Sequence, residues 1–330
     1  MSNLVLIVRR LITPSMLLVA LLAVAIGVAC GGGGDEAPEA TATAETAATD
    51  VEPTAPPTES ITIGADFWHA GWKVTLGEAT LGQDELGNRT VTIDVTFENL
   101  SSRTSTFNSR IVLTSGGNSF GDIGSEQDLP NVPGLLSNTG LLAIEVDDTF
   151  SLDDATLIVG NPDNNQAIVP IGPASPDELI SLEPLQIAAA GSAAAGPVSF
   201  TVTGVELRAD LPDSSDEVEK GRLAIIVSFE VTVGAGIPIG EGVLQSGNVA
   251  LKLPDGTAVA VRSDGRSGVN ELLQGKEGTT IQDLSVRFIV PEPAAGQYAF
   301  IVRGPYGPDR AMVEGEVTFE LPAPEVPAPP

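Results

Sequence analysis

From residue 61 onward, the chain alternates apolar and polar positions with a period of two. Val91–Phe97 shows this most clearly, because its odd-numbered positions are apolar and its even-numbered positions are Thr or Asp. Such alternation is typical of a strand with one buried face. Similar short segments, separated by turn residues, are Lys73–Leu81, Arg110–Thr114, Leu141–Val146, Thr156–Val159 and Gln166–Ile171. No stretch of useful length has helical periodicity, so we predict an all-β fold built as β-sandwiches.

The second half of the chain repeats the order of segments found in the first half. RLAIIVSFEVTV at 222–233 corresponds to RTVTIDVTFENL at 89–100, and Val198–Leu207 corresponds to the strand beginning at Lys73. Each copy is large enough to bury its own core. We therefore predict two tandem sandwiches over 61–173 and 198–321, joined by a linker over 174–197. In that linker, ASPDELISLEPLQ is expected to form at most one helical turn, and AAAGSAAAG is expected to be flexible.

The N-terminal segment has the pattern of an export signal. Arg9 and Arg10 precede an apolar stretch that ends at Cys30, the chain's only cysteine, and four glycines follow it. This predicts a lipoprotein signal peptide over 1–29 and lipidation of Cys30. Gly27 departs from the leucine usual in lipoprotein motifs and also suits ordinary signal peptidase, so release as a secreted protein remains open. The apolar run is also nearly long enough to span a bilayer uncleaved.

Two segments of the chain are predicted to be disordered. Residues 30–60 form an Ala/Thr/Pro-rich tether that carries acids without any base, and such a stretch cannot bury enough apolar surface to offset its ordering entropy. Residues 322–330 form a proline-rich tail. A tether of this kind would lift the folded part of the chain away from the membrane.

The charge of the chain restricts its partners. Asp and Glu total 44 against 16 Lys and Arg, which gives a formal net charge of −28. Such a chain is repelled by phosphate backbones, so nucleic acid is excluded as a partner. Soluble cations and basic proteins are the classes of ligand that the charge favours.

The chain resembles a family of surface proteins in its layout and in two sequence segments. These segments are TVTIDVTFENLSS in the first copy and the Leu-rich, Gly-containing segment before LSVRFIV in the second. They are similar to bacterial cell-surface lipoproteins that carry small immunoglobulin-like domains of uncharacterised function. The resemblance implies two immunoglobulin-like sandwiches and a location outside the cytoplasm, and it implies no chemistry.

Motifs for catalysis and for cofactors are weak. GNSFG places Ser119 at the centre of a G-x-S-x-G pattern, but this pattern needs a strand-to-helix turn and a later histidine, whereas the only histidine, His69, precedes it. One His and one Cys cannot build a zinc or copper site. A weak calcium site is the remaining metal hypothesis, with the candidate ligands Asp147, Asp148, Asp153, Asp154 and Asp163. We therefore predict a protein that is not an enzyme and has no cofactor apart from this calcium hypothesis.

Aromatic side chains are the best candidates for a contact surface. Both tryptophans lie in FWHAGW beside the only histidine, and both tyrosines lie in the last predicted hairpin. Tryptophan often anchors protein interfaces. The candidate interaction surface comprises Phe67, Trp68, His69, Trp72, Tyr298 and Tyr306. The alternative is that one tryptophan closes the sandwich core and the other packs under the tether.

Together these features predict a membrane-anchored, extracytoplasmic lipoprotein that acts as a non-catalytic binding or spacer module. Its partners would be the membrane, through the lipid, and an extracytoplasmic protein or ligand whose identity the sequence does not indicate. The alternative is a calcium-dependent or substrate-delivering accessory subunit of a transporter or secreted enzyme.

Overall fold

The structure is a computed structural model of the chain, and it describes residues 58–84, 86–121, 129–212, 216–237, 242–262, 269–291 and 293–322. The predicted signal peptide, Cys30, most of the tether and most of the tail lie outside these residues. The described part is all-β, as predicted. Its helices are two single 3-10 turns at Ser246–Asn248 and Pro308–Arg310. None of its helices is long and apolar enough to cross a membrane.

The strands divide between two halves of the chain, which we call the first module (residues 58–172) and the second module (residues 185–322). Strands of the first module are β1 Glu59–Thr62, β2 Asp66–His69, β3 Trp72–Gln83, β4 Arg89–Asn99, β5 Ser105–Thr106, β6 Ile111–Ser115, β7 Asn118–Phe120, β8 Asn131–Val132, β9 Ser137–Glu145, β10 Thr156–Val159 and β11 Ala167–Pro170. Strands of the second module are β12 Leu185–Ile187, β13 Gly191–Ala195, β14 Val198–Arg208, β15 Asp210–Leu211, β16 Asp216–Glu217, β17 Arg222–Val233, β18 Val243–Gln245, β19 Val249–Lys252, β20 Ala258–Ala260, β21 Asn270–Leu272, β22 Thr280–Pro291, β23 Gly296–Gly304 and β24 Val313–Leu321.

The first module has two main antiparallel sheets. One has the order β1-β3-β4-β9, with β2 also pairing with β3, and the other has the order β11-β10-β6-β7. The edge strands β1 and β2 share β3 because β3 carries a bulge, where its register against β4 shifts between Leu76 and Ala79. Residues 63–65 cross from one edge strand to the other at this bulge, where the amide of Ile63 donates to the carbonyl of Gly77.

The second module repeats this strand order. Its sheets run β12-β14-β17-β22, with β13 also pairing with β14, and β20-β19-β23-β24. Its β14 also bulges, between Val202 and Gly204. Among the described residues, the clearest difference from the first module is an additional small hairpin, formed by β15 and β16 and inserted between β14 and β17. In the first module the corresponding strands, β3 and β4, are joined by the short connection between Gln83 and Arg89.

Each module has its own hydrophobic core, built from the inward positions of the period-two pattern. In the first core, Trp72 meets Phe97 and Phe107 edge-on at centroid distances of 6.2 and 6.0 Å. In the second core, Phe300 contacts Phe200, Phe229 and Phe288. Burial of one such ring stabilises a fold by about 1.5–3 kcal/mol.

The linker differs from its prediction. The segment AAAGSAAAG, expected to be flexible, contains β13, which pairs along β14 and buries Ala195 completely. The preceding segment forms no helical turn. Instead, Ile180 makes a two-way backbone bridge to Ile168 at the outer edge of β11. Small alanine side chains carry no strong hydrophobic pattern, so the strand pairing of this segment comes from its tertiary neighbours.

Candidate functional site: the joint between the modules

The two modules meet through three segments, which we call the joint. The second module contributes Arg208–Arg222, which includes the β15–β16 hairpin. The first module contributes the turn His69–Gly71 between β2 and β3, and the turn Asn161–Asn165 between β10 and β11. Hydrogen bonds cross between the modules at both turns.

Asp210 is the centre of a buried charge cluster at the joint. Its carboxylate accepts the Gly71 amide of the first module at 2.6 Å and the Arg208 Nε of its own module at 2.7 Å. Arg208 also donates to Glu206 at 2.8 Å. Arg208 and Asp210 are only 3% and 4% exposed. Burial opposes the charge on Arg208, but the two carboxylates outweigh it and raise the pKa of its guanidinium.

Glu217 forms the second polar contact of the joint. One carboxylate oxygen lies 3.1 Å from the His69 Nε2, and the other accepts the Asn164 amide group at 2.7 Å. Asn161 donates to that second oxygen from both its backbone and its side chain. Burial raises the pKa of Glu217, but the hydrogen bonds from His69, Asn164 and Asn161 outweigh it, so the pKa falls to about 2. Glu217 therefore stays ionised at ordinary pH and accepts hydrogen bonds from the first module.

Asn165 ties the backbones of the two modules together. Its side-chain amide donates to the carbonyl of Arg222 at 2.7 Å, and its side-chain oxygen accepts the amide of Gly221 at 3.2 Å. Its own backbone amide donates to the carbonyl of Val218 at 2.8 Å. Neutral hydrogen bonds of this kind contribute about 0.5–1.5 kcal/mol each. The turn at 161–165 thus contacts residues 217–222 of the second module.

Close packing of backbone at the joint requires glycine at two positions. A Cβ on Gly71 would lie 2.6 Å from the Cα of Pro212, and Gly71 has a φ of +86°. A Cβ on Gly160 would lie 2.6 Å from the Cε1 of His69. On the other side, Leu211, Val218 and Ala224 form a small buried cluster under the hairpin. The hairpin is therefore supported from its own module while it contacts the other.

The structure places most of the predicted contact surface in the interior. Five of the six candidate side chains are buried: Phe67, His69, Trp72, Tyr298 and Tyr306. Trp72 belongs to the first core and His69 to the joint, while Tyr298 stacks on Phe319 at 5.9 Å. The hydroxyl of Tyr306 donates to the carbonyl of Val243 at 3.2 Å. The predicted surface is thus reduced to Trp68.

Trp68 is the one aromatic residue of the described chain that is not buried. Its backbone amide donates to the Ser181 hydroxyl at 2.8 Å, so it lies against the linker. The Lys73 ammonium lies 5.3 Å from its ring centroid and is also paired with Asp66 at 3.1 Å. One face of the Trp68 ring is therefore occupied by Lys73 of the same chain.

The predicted calcium ligands accept local hydrogen bonds or are exposed. Asp147 accepts from Thr149, and Asp154 accepts from Ser115 and from the amide of Gly116. The side chains of Asp148, Asp153 and Asp163 are exposed. In the described part of the chain, no three His, Cys, Asp or Glu residues are placed to hold one metal ion.

Sequence reasoning missed the charged members of the joint, namely Arg208, Asp210 and Glu217. The available signal was a difference between the copies. The connection that contains DLPDSSDEV, between the strands ending at Arg208 and beginning at Arg222, has only a short counterpart between Gln83 and Arg89. In this structure the longer connection of the second module is the one that contacts the other module.

The lowered pKa of Glu217 predicts an acid-dependent contribution to stability. A carboxyl group whose pKa falls on folding stabilises the folded state above its unfolded pKa, here 4.5, and this stabilisation is lost as the pH falls toward the folded value of about 2. We expect Glu217→Gln to have a lower melting temperature than the wild type at pH 7, with a difference that narrows progressively below pH 4.5. Melting curves between pH 7 and pH 2.5 measure this. Asp148→Asn, at an exposed acid, is the control, and a pH-independent difference for Glu217→Gln would contradict the prediction.

Comparisons with known proteins add little. No family model matches the chain, and no curated protein matches it. Among solved structures it is similar to a conserved domain protein from Bacillus anthracis, at 12% identity and a TM-score of 0.27, over 79% of this chain and 91% of that one. A similarity this distant supports no argument about function.

Proposed function

We propose that the protein is a membrane-anchored, extracytoplasmic lipoprotein in which two immunoglobulin-like sandwiches act as a non-catalytic binding and spacer module. The export signal ending at Cys30, the tether and the resemblance to surface lipoproteins support the location. The observation that carries the spacer role is the joint, where buried charges and hydrogen bonds connect the modules.

A joint of this kind favours a fixed orientation of the modules. Domains within one chain normally move relative to each other unless their interface is extensive and well packed. Here, separation would take Asp210 away from the Gly71 amide and would strip Glu217 of its three partners from the first module. A buried charge that loses part of its partners while it stays desolvated is costly, so a partial separation of the modules is disfavoured. The linker adds a further constraint, because the Ile180 bridge holds it against β11.

The path of the chain fits a spacer. Glu59, at the start of β1, pairs with Leu81 near the end of β3, whereas the joint lies beside Trp72 at the start of β3. The tether therefore enters the first module at the end opposite the joint. β3 has 12 residues, which at about 3.3 Å per residue separate the two ends by roughly 35–40 Å.

The location is tested by lipid labelling in a host that makes the protein. With a radioactive fatty acid, we expect label on the wild type and none on Cys30→Ala, which should be released from the membrane fraction because two acyl chains provide stable anchoring. Gly31→Ala is the matched control, since it changes the neighbouring residue and keeps the thiol, and it should be labelled. Equal labelling of wild type and Cys30→Ala would contradict lipidation, and an unlabelled variant that stays in the membrane would instead indicate an uncleaved helix.

A further inference from the structure

The bulge in β3 opens a hollow on the outer face of the first module. The hollow is lined by residues of three neighbouring strands: Thr75, Gly77, Asp94, Val95, Thr96, Thr139, Gly140 and Leu141. Thr75, Thr96 and Thr139 lie in one row across β3, β4 and β9, and Asp94 pairs with Leu141 in the next row. Gly77 leaves the space open, because a Cβ there would lie 3.2 Å from the Cβ of Asp94.

The carboxylate of Asp94 has no hydrogen-bond or ion-pair partner among the described residues. Some other acids of this module are held by neighbours, as Asp66 is by Lys73 and Thr75, and Asp84 is by the amides of its own turn, whereas Glu78 and Glu98 are exposed like Asp94. Leu141, beside Asp94, is 45% exposed. The hollow thus combines an unpaired negative charge, hydroxyl groups and an apolar wall.

The second module lacks this combination although it has the same bulge. Matching the bulge of β14 to that of β3 places Thr203 at the position of Gly77 and Ser228 at the position of Asp94. Ser285, which pairs with Ser228, takes the position of Leu141. The bulge therefore belongs to the repeated fold, whereas the charge and the apolar wall are particular to the first module.

We propose that this hollow binds a lysine side chain of a basic partner polypeptide. An ammonium group has three donors and no acceptor, and the Asp94 carboxylate with the hydroxyls of Thr96 and Thr139 offers oxygen acceptors on adjacent strands. The methylene stem of lysine can lie along Leu141 while its charged end reaches the carboxylate. This inference rests on the proposed function, since it names the partner class of the binding module.

The charge of the protein favours the same partner. With a net charge of −28, the chain attracts basic segments and repels anionic membranes and nucleic acids. Glu78 and Glu98 are also exposed on the strands that form the hollow, and Lys73, the base on β3, is already paired with Asp66. A basic segment therefore meets an acidic face around the hollow.

Binding of a fluorescent trilysine peptide to the full-length protein tests the proposal, with fluorescence anisotropy as the readout. We expect saturable binding, and we expect Asp94→Asn to weaken it about tenfold, because the amide oxygen that replaces the carboxylate carries no charge to pair with the ammonium group. The change is nearly isosteric at an exposed position, so the variant should fold normally. A peptide of three acetyl-lysines, which lacks the ammonium groups, should not bind measurably.

Asp148→Asn is the matched control, because it removes the same charge from an exposed acid outside the hollow. It should change the affinity less than twofold. If Asp94→Asn and Asp148→Asn weaken the affinity equally, or if the acetylated peptide binds as tightly as trilysine, the proposal is overturned. If a triarginine peptide binds more tightly than trilysine, the choice of lysine is overturned. None of these results affects fatty-acid labelling of Cys30, so failure here is distinguishable from failure of the proposed location.

Discussion

Replacement of Asp210 by alanine is expected to destabilise the protein by about 3–5 kcal/mol, because it removes one partner of a buried ion pair. Arg208, only 3% exposed, would keep its charge with Glu206 as its remaining carboxylate partner in the joint. The Gly71 amide would lose its acceptor at the same time. Urea unfolding followed by tryptophan fluorescence measures the change, since both tryptophans lie in the first module beside the joint.

The control for this variant is Asp148→Ala, an exposed acid expected to change stability by less than about 0.5 kcal/mol. A double variant, Arg208→Met with Asp210→Leu, separates charge from packing. The double variant should recover part of the lost stability, because apolar side chains often replace a buried ion pair without lowering the free energy of unfolding. A change of less than about 1 kcal/mol for Asp210→Ala would mean that the charge cluster is not desolvated as the structure places it.

Replacement of Gly71 by alanine is expected to separate the modules while leaving both folded. The new Cβ would meet the backbone of Pro212 at 2.6 Å, and neither side can yield without moving its whole turn. Spin labels at the exposed positions Thr62 and Thr232, introduced as cysteines in a Cys30→Ala chain, report the distance between the modules. The doubly labelled chain that keeps Gly71 should give one narrow distance distribution, and the same chain with Gly71→Ala should give a broad one.

Gly87→Ala is the matched control for this experiment. Gly87 also has a φ of +86°, so alanine there causes the same backbone strain, but nothing lies within 4 Å of its Cβ position. It should lower the melting temperature slightly and leave the distance distribution narrow. A narrow distribution for Gly71→Ala, or a broad one for the parent chain, would contradict a fixed joint and with it the spacer role.

Most of the strand content could be predicted from the sequence, because inward positions alternate along much of the long strands, as in β4 and β14. The predicted strand at Thr156–Val159 is β10, and the segment at 222–233 is β17 with the same bounds. The repeated order of the segments appears in the structure as a repeated strand order. The alanine-rich β13 could not be predicted, because neither its side chains nor its period distinguish an edge strand from a flexible linker.

The candidate site could be predicted only in part. His69 and the FWHAGW segment were recognised as unusual, but whether an aromatic side chain faces solvent depends on neighbours that are distant in sequence. Trp68 and Trp72 are only four residues apart in the sequence, yet one borders the linker and the other fills the core. Glu217 lies 148 residues from His69, a pairing that no local pattern reveals.

The structure of the joint also limits how many modules can associate through this contact. Its two faces are different, so identical modules with both faces would stack head to tail without end. The second module carries the hairpin but lacks the receiving face: Pro197, which has no amide hydrogen, stands at the position of Gly71, and 305–310 contains none of the asparagines found at 161–165. The first module, in turn, joins β3 to β4 by a short connection whose described residues form no inserted hairpin. Through this contact the second module therefore cannot bind a further copy of itself, and the contact cannot propagate into a fibre.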